Sequence, residues 1–346
     1  MSSSGPSGNS PQQARLDADA PGTVRLHVGE ATELGSRALQ RIGYSDKDSD
    51  VIVDQLVDNA LCGYQFAGLP RILIIAADAK TRGPRSEVRV VHESLLGVTL
   101  DGGNNVGYVA VFRATEIAAR KAAQTGFCAA GVYNSYYSGR NAYYAERLAR
   151  QGFVVFHAAS GEPRVLPPGG SKPALGTNPI CFAFPSKDGP VVVDMGTSSV
   201  MMGDLRYHAN VGKPLPPGLA VDARGNPTED AAAALEGGIL PFGGHKGFGL
   251  SFAVQALGLL AGAQLARGNV QDFGFLFWVI KPELMLPGTD FAEQMSELVR
   301  SIKATPRQTG CDEIRIPSER AHRERERRRV EGIVLERSII EAIQAI

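Results

Sequence analysis

Several features that mark a particular class of protein are scarce or absent in this chain of 346 residues. Acidic and basic residues number 36 each, so the net charge is zero and no global field attracts a polyanion such as nucleic acid. The four cysteines lie far apart and form no C-x-x-C pair, which argues against zinc ribbons and thioredoxin-type sites and favours the reducing cytoplasm. The longest apolar stretch, residues 247–262, contains four glycines and is too short to span a bilayer. We expect neither a membrane nor a nucleic acid as a partner.

Short motifs for common sites are missing as well. The chain has no G-x-G-x-x-G, no P-loop and no G-x-S-x-G. A Rossmann-type dinucleotide site, a P-loop and a nucleophile elbow are therefore not supported. The six histidines are scattered singly without the spacing of metal ligands, so we expect no metal site.

The pattern of apolar residues predicts a mixed α/β protein behind a disordered leader. Residues 1–22 are dominated by Ser, Gly, Pro and Gln and contain no apolar core. Residues 29–62 have the spacing of two helices separated by a turn, and strands alternate with helices between 88 and 157. Residues 208–240 are rich in turn-forming and polar residues, which predicts a long surface excursion. The charged run at 323–329 predicts a solvated helix face.

Two glycine-containing loops have the composition of ligand-binding segments. In residues 167–179, glycines free the backbone while Thr177 and Asn178 supply short polar side chains, so backbone amides can face an anion. A plain connecting loop explains the same composition equally well. In residues 241–252, His245 and Lys246 open an apolar helix, where a lysine is unfavourable unless a negative ligand offsets its charge. The alternative is a surface lysine without a role.

Two further segments place polar or aromatic side chains at the ends of predicted strands. Asp194 follows a hydrophobic strand directly, where α/β proteins place ligands, although it can also cap a neighbouring element. Residues 133–144 hold five tyrosines and an arginine around a glycine, which predicts a pocket wall or, as readily, packing against a neighbouring subunit.

These segments together resemble the type-2 malate/L-lactate dehydrogenase family, whose relatives include ureidoglycolate, sulfolactate and diketogulonate dehydrogenases and cyclic ketimine reductases. The resemblance begins near residue 30 and covers nearly all of the chain. It is carried by four motifs: G-G-x-x-x-x-L-G-T-N-P at 169–179, V-D-M-x-T-S at 193–198, L-P-x-G-x-A-x-D-x-x-G-x-P-T at 215–228 and G-G-H-K-G-x-G-L at 243–250.

The resemblance implies an α/β fold of mixed α+β character, the non-Rossmann L-sulfolactate dehydrogenase-like fold. A mixed sheet is flanked by helices and joined to an N-terminal helical region. We predict an N-terminal helical domain at 23–98 that packs with 300–346, and a cofactor and catalytic domain at 99–299. The family also implies a homodimer with its active site between domains near the dimer interface.

The family binds a nicotinamide cofactor, NADH or NADPH, between which this sequence does not choose. The resemblance places cofactor contacts in the 160–179 loop, after the 191–195 strand and at the start of the later apolar helix. A late Pro-Gly-Glu aligns with Pro317–Arg320, where a serine replaces the glycine. The implied cofactor residues are Ser160, Thr177, Asn178, Asp194, Met195, Gly196, Thr197, His245, Lys246, Ser318 and Glu319.

Both histidines of the family's active site are absent. The family carries Ser-His-Gly with a carboxylate-binding arginine three residues after the glycine. Here the arginine is kept as Arg71, but Ala67 stands in the place of the proton-donating histidine. The second family histidine aligns with Tyr137. Alanine cannot transfer a proton, and a tyrosine needs a nearby cation or a strong hydrogen bond to do so near neutral pH.

These substitutions favour an imine over a 2-hydroxy acid, because a protonated iminium needs little acid from the enzyme. We predict NAD(P)H-dependent reduction of a C=N or C=O bond in a small carboxylate substrate of a specialised biosynthetic pathway. Arg71 binds the carboxylate, Tyr137 contacts the reacting centre with Tyr64 and Tyr136 in reserve, and Asp194 stabilises cationic character. The alternatives are a fold recruited for a non-redox reaction and a catalytically silent binding subunit.

Overall fold

The computed structural model of the protein describes residues 21–265 and 267–346, so most of the predicted leader lies outside the described residues. The strands are β1 (Thr23–Leu26), β2 (Arg89–Glu93), β3 (Gly97–Val106), β4 (Phe127–Tyr136), β5 (Val154–Ala159), β6 (Ile180–Phe184), β7 (Val191–Met195), β8 (Ala220–Val221), β9 (Pro227–Thr228), β10 (Gly238–Ile239), β11 (Phe275–Ile280) and β12 (Ile333–Glu336). The helices are α1 (Val28–Arg41), α2 (Asp46–Leu61), α3 (Arg71–Ala77), α4 (Ala79–Arg82), α5 (Gly107–Thr125), α6 (Asn141–Ala149), α7 (Met202–Asn210), α8 (Ala231–Glu236), α9 (His245–Leu260), α10 (Phe291–Lys303), α11 (Glu319–Glu331) and α12 (Arg337–Gln344).

The chain divides into two compact units. The first runs to Ile74 and resumes from Arg320 to Ile346. Its two ends are joined by β1 and β12, which pair antiparallel with Thr23 opposite Glu336. The second unit comprises Ile75–Glu319. The sequence placed the domain boundaries after residues 98 and 299, and that assignment stays a prediction.

The helix pair predicted at the start of the first unit is present as α1 and α2. The hydroxyl of Ser45 caps α2 by accepting a hydrogen bond of 3.2 Å from the backbone N–H of Asp48. Gly35 lets the two helices approach closely, since a Cβ at that position would lie 2.5 Å from Cγ2 of Val53.

The second unit is built on a seven-stranded sheet in the order β2-β3-β4-β11-β5-β6-β7. Only β3 and β4 run parallel, and the other neighbours are antiparallel. This arrangement confirms the predicted mixed sheet. The direct β3-α5-β4 connection accounts for the parallel pair, because parallel neighbours need a crossover.

Helices cover both faces of this sheet. On β5, Phe156 and Ala158 pack with Val254 of α9, whereas His157 meets Tyr144 of α6 on the other face. The alternation follows from the two-residue period of a strand. Among the described residues, no helix combines the length and apolar composition needed to cross a bilayer.

The prediction of a surface excursion at 208–240 is wrong. This segment forms α8 and the small sheet β10-β8-β9, and it contributes most of a buried apolar cluster that it shares with the loop before β6 and with α7. The cluster was not predicted from the sequence because its members come from loops and from elements of two to nine residues, which are too short to show a period. Its buried members are Val165, Leu175, Leu205, Leu215, Ala220, Ala231, Ala234 and Ile239.

The charged run at 323–329 is also not simply a solvated face. It lies in α11, where Glu324, Arg325 and Arg328 are buried. Arg325 pairs with Asp58 at 2.8 Å, and Nη1 of Arg328 donates to the carbonyl of Ala60 at 2.9 Å. Buried charges are tolerated when they are paired in this way, and such partners cannot be read from local sequence.

Candidate functional site

Three of the segments predicted to hold a cofactor are hydrogen-bonded to one another in the second unit. The carbonyl of Thr177 accepts bonds from the backbone N–H of Thr197 at 2.9 Å and from its hydroxyl at 3.0 Å. The carbonyl of Thr197 in turn accepts from the N–H of Phe242 at 3.1 Å. The loop before β6, the end of β7 and the approach to α9 therefore converge.

Asn178 ties the same loop to α9. Its backbone is left-handed with φ 38°, and its side-chain Nδ2 donates to the carbonyl of Ser251 at 2.9 Å and to Gln255 at 3.1 Å. Its Oδ1 is buried and has no hydrogen-bond partner among the described residues. A buried acceptor of this kind calls for a donor.

Ser160 has its hydroxyl engaged within the protein. The oxygen accepts a bond of 3.0 Å from the N–H of Gly274, and a Cβ at Gly258 of α9 would lie 2.1 Å from it. The hydroxyl therefore fixes the start of the 160–179 loop to the residue before β11, and the absence of a side chain at Gly258 lets α9 pack closely over it.

The start of α9 is shaped by glycines. Gly243 and Gly244 adopt φ values of 56° and 62°, and a Cβ on Gly247 would lie 2.2 Å from the carbonyl oxygen of Phe242. His245 and Lys246 are exposed in the first turn. The helix thus presents an exposed cationic side chain at the positive end of its dipole, a combination that suits an anion.

The remaining predicted cofactor residues lie at two chain reversals. Met195 is exposed at the end of β7, and Gly196 leaves room for Met201, whose sulfur would be 2.5 Å from a Cβ there. Ser318 adopts a left-handed φ of 64°, which explains a glycine at the aligned family position. Glu319 accepts from the N–H of Ile316 at 3.1 Å and pairs with Lys303.

Asp194 does act as a helix cap, but for a helix that precedes it in the chain. Its Oδ2 accepts a hydrogen bond of 2.7 Å from the N–H of Ala142 in the first turn of α6. Burial raises the pKa of Asp194 to about 6, while the Ala142 N–H and the charge of Arg140 act in the opposite direction. A carboxyl group that titrates near neutral pH can exchange a proton in the working range of an enzyme.

Tyr136 and Tyr137 have different environments at the end of β4. Tyr136 is fully buried and its hydroxyl lies 2.8 Å from Oγ1 of Thr81. Tyr137 is half-buried with φ 51°, a strained value for a bulky side chain, and its ring packs edge-on against Tyr136 and Phe273. The strained backbone turns Tyr137, and not Tyr136, away from the core of the sheet.

Arg71 and Tyr64 belong to the first unit. Arg71 is the first residue of α3 and is half-buried. The guanidinium of Arg320 lies 5.0 Å from the ring centroid of Tyr64, so this tyrosine is engaged in a cation–π contact.

Two side chains of the second unit suit the polar and anionic groups of a nicotinamide dinucleotide. The unpartnered Oδ1 of Asn178 suits an amide or hydroxyl donor, and Lys246 at the start of α9 suits a phosphate. Within residues 21–265 and 267–346, no three His, Cys, Asp or Glu side chains gather as metal ligands would.

An ion pair next to the ring of Tyr136 was not predicted from the sequence. Lys80 of α4 and Glu162 of the loop after β5 form an ion pair of 2.7 Å. They belong to none of the family motifs and are 82 residues apart, so neither carried a signal in the sequence.

The chain matches a known family over nearly all of its length. The sequence profile described as malate/L-lactate dehydrogenase matches residues 26–344. The L-sulfolactate dehydrogenase of Methanothermobacter thermautotrophicus is 32% identical over 334 residues, which cover 93% of this chain and 96% of that protein.

Two solved structures show the same fold. The sulfolactate dehydrogenase of Methanocaldococcus jannaschii matches with a TM-score of 0.83 and 29% identity, over 93% of this chain and 96% of that one. The delta1-piperideine-2-carboxylate reductase of Pseudomonas syringae pvar. tomato matches with a TM-score of 0.81 and 28% identity, over 93% and 99% of the two chains.

Proposed function

Since the chain belongs to the malate/L-lactate dehydrogenase family and is an oxidoreductase of that family, we propose that it reduces a C=N bond in preference to a C=O bond. The proposal rests on one observation: Ala67 and Tyr137 occupy the positions at which the family has its two active-site histidines. The substrate is a small carboxylate. The likeness to a delta1-piperideine-2-carboxylate reductase supports this choice, because a cyclic imino acid is a substrate of that kind.

The proposed cofactor is NADH or NADPH, which supplies a hydride to the substrate carbon when bound. Lys246 provides charge for its phosphates, and Asn178 provides an unpartnered acceptor through Oδ1. Thr197 holds the two loops together by donating two hydrogen bonds to the carbonyl of Thr177. The residues from Asp194 to Thr197, with Ser160, His245, Ser318 and Glu319, complete the proposed set.

The proposed roles of the substrate-facing residues follow from their chemistry. Arg71 binds the substrate carboxylate with its planar guanidinium. Tyr137 donates a proton to the substrate oxygen or nitrogen, or lies against a substrate that is already protonated. Asp194, when ionised, stabilises positive charge on an iminium. Tyr136 is the weaker candidate because its hydroxyl is already bonded to Thr81.

The proposed assembly is a homodimer. After its first turn α9 is mostly apolar, yet Phe252, Leu259 and Leu260 of this helix are 63%, 40% and 71% exposed. Their spacing of seven and eight residues places them on one side of the helix. A second copy of the chain would cover this face. We also propose the cytoplasm as the compartment, consistent with the buried thiols of Cys62, Cys128 and Cys181.

A substrate panel tests the proposed reaction. Purified protein is assayed with cyclic 2-imino acids and with 2-keto acids, each with NADH and NADPH, by loss of reduced-cofactor absorbance, and cofactor binding is measured separately by calorimetry. Faster turnover of imino acids supports the proposal. Equal or faster turnover of pyruvate or oxaloacetate contradicts it. Cofactor binding without turnover would indicate that the fold has been recruited for a non-redox reaction. Absence of cofactor binding would indicate a catalytically silent subunit.

A further inference from the structure

The buried arginines of α11 are matched by carboxylates of the first unit. Arg325 pairs with Asp58 at 2.8 Å, and Arg328 pairs with Glu324 at 3.1 Å. Arg320, in the first turn of the same helix, is different. It is exposed, and its side chain makes no hydrogen bond or ion pair with any residue of 21–265 or 267–346. The charge of Arg320 is therefore not neutralised by the part of the chain that the structure describes.

Gly63 lies where two of these guanidinium groups converge. The residue has φ 85°, and a Cβ there would be 3.1 Å from Nη1 of Arg320 and 3.8 Å from Nη2 of Arg328. Oε2 of the neighbouring Glu324 already accepts hydrogen bonds from Arg327 at 2.8 Å and from Arg328 at 3.1 Å. Two cations that border one point repel each other unless an anion offsets them. Because Gly63 has no side chain, it does not block the approach of an anion to Nη1 of Arg320.

The ring of Tyr64 holds the guanidinium of Arg320 by a cation–π contact. Cζ of Arg320 lies 5.0 Å from the ring centroid, within the range of such contacts. This contact uses the charge of the guanidinium and not the directions of its five N–H donors. A planar fork of donors binds two oxygens of a carboxylate or phosphate at once. An oxyanion is therefore the ligand that this arrangement fits.

We propose that Arg320, held by the ring of Tyr64 beside Gly63, anchors an oxyanion in the first unit, in addition to the anions proposed for Arg71 and Lys246. The group that binds is a phosphate, a sulfonate or a carboxylate. The site is independent of the reaction, whereas the molecule that brings the oxyanion to it rests on the proposed function. That molecule is either a substrate with a second acidic group or NADPH, through the phosphate on its adenosine ribose.

The competing explanation is an arginine that rests on a tyrosine and is otherwise solvated. Calorimetric titration with inorganic phosphate, at a constant ionic strength set by chloride, separates the two. All proteins carry Lys246→Ala, so that the anion site proposed at α9 does not contribute. Arg320→Gln should weaken phosphate binding by about 10-fold or more, the loss expected for charged hydrogen bonds. Equal phosphate affinity with and without Arg320→Gln, or no binding to either protein, would overturn the proposal.

Arg329→Gln is the matched control, because Arg329 is exposed on the same helix and pairs with Glu326 at 2.8 Å. It should leave phosphate affinity unchanged. A loss as large as that of Arg320→Gln would attribute the effect to the net charge of the helix and would overturn the site. Arg320→Lys keeps the charge without the planar fork, so its affinity should lie between those of the parent and Arg320→Gln.

A double-mutant cycle tests the contact with Tyr64. Tyr64→Leu should weaken phosphate binding by about 2- to 5-fold, the value of an exposed cation–π contact, and should have no further effect in the Arg320→Gln background. The same loss in both backgrounds would show that the ring does not act through Arg320, which contradicts the proposed geometry.

Two further measurements identify the molecule that carries the oxyanion. If it is NADPH, Arg320→Gln weakens binding of NADPH and leaves NADH binding unchanged. If it is the substrate, the variant raises KM for a cyclic imino acid with two carboxylates and not for one with a single carboxylate. A change in neither would refute both carriers. Failure of the wild type to turn over any imino acid would contradict the proposed function instead, and the phosphate titration would still decide whether Arg320 binds an oxyanion.

Discussion

Oδ2 of Asp194 accepts a hydrogen bond of 2.7 Å from the backbone N–H of Ala142, and this contact joins the end of β7 to the first turn of α6. The carboxylate receives a helix N-terminus and the charge of Arg140, both of which favour its ionised form. Burial acts against them and prevails. Asp194 is therefore a carboxyl group whose charge is costly to the fold but available for chemistry.

This imbalance predicts how Asp194 affects stability with pH. Its pKa of about 6 in the folded state exceeds the ordinary 3.8. The folded state thus binds more protons than the unfolded state between these values, and the free energy of unfolding falls as pH rises through them. Asp194→Asn removes this pH-dependent contribution to the free energy of unfolding, because an amide does not titrate. The stability of the wild type relative to Asp194→Asn should fall by about 2 kcal/mol between pH 4 and pH 7.

Urea unfolding at four pH values measures the difference. Asp222→Asn is the control, because backbone N–H groups at Asn226 and Arg224 lower the pKa of the half-buried Asp222 carboxyl. Relative to wild type, the free energy of unfolding of Asp222→Asn should therefore become lower as pH rises, which is the opposite direction to Asp194→Asn. If the free energies of unfolding of wild type and Asp194→Asn change with pH in parallel, ionisation of Asp194 does not destabilise the folded state.

Lys246→Ala should weaken cofactor binding by about 1.5–3 kcal/mol, the value of a charge-assisted hydrogen bond, which is roughly 10- to 150-fold in Kd. The expectation rests on the exposed ammonium in the first turn of α9. Lys213→Ala is the control because Lys213 is an equally exposed lysine in a loop. Calorimetric titration with NADH and NADPH gives both affinities. Unchanged affinity for Lys246→Ala would remove Lys246 from the site.

Phe252→Glu should convert the proposed dimer into a monomer. A charge on the exposed face of α9 would have to be buried unpaired against a second copy, which is costly. Light scattering at micromolar concentration should give a dimer mass for wild type and a monomer mass for Phe252→Glu. Val330→Glu is the control, since Val330 is 82% exposed on α11. A wild-type monomer would refute the dimer itself.

The sequence predicted the parts of the fold that have a local signature. Ser45 capped the expected helix, and Asp194 lay at the expected strand end. The partners of these groups were not predictable in the same way. Ala142 is 52 residues from Asp194, and Glu162 is 82 residues from Lys80. Such pairs are fixed by the order of strands in the sheet, which no periodicity encodes.

Arg71→Lys should raise KM for a carboxylate substrate by about 10-fold or more while leaving cofactor affinity unchanged. A lysine keeps the charge but loses the bidentate geometry of the guanidinium. Arg37→Lys serves as the control, because Arg37 is exposed on α1 and pairs with Glu33. Initial rates over a range of substrate concentrations separate KM from kcat. If KM stays constant in Arg71→Lys, the substrate carboxylate is bound elsewhere.

The replacement of both family histidines should make the protein slow on 2-keto acids. Ala67 has no group that transfers a proton, so the wild type should reduce pyruvate and oxaloacetate at least 100-fold more slowly than a cyclic imino acid, the range of rate usually supplied by a general acid. Ala67→His should not raise the rate on the imino acid. Tyr137→Phe should lower that rate if the imine is bound unprotonated, because the proton then has to come from the phenol.

Steady-state rates for wild type, Ala67→His, Tyr137→Phe and Tyr136→Phe decide among the possible donors. Tyr136→Phe is the matched control, since it removes a hydroxyl that is bonded to Thr81 in a fully buried position. Loss of turnover in Tyr136→Phe but not in Tyr137→Phe would move the donor to Tyr136. Full activity in both would mean that the substrate arrives as an iminium and that Tyr137 only packs against it. Brisk lactate or malate dehydrogenase activity in the wild type would show that losing both imidazoles left the family's chemistry unchanged.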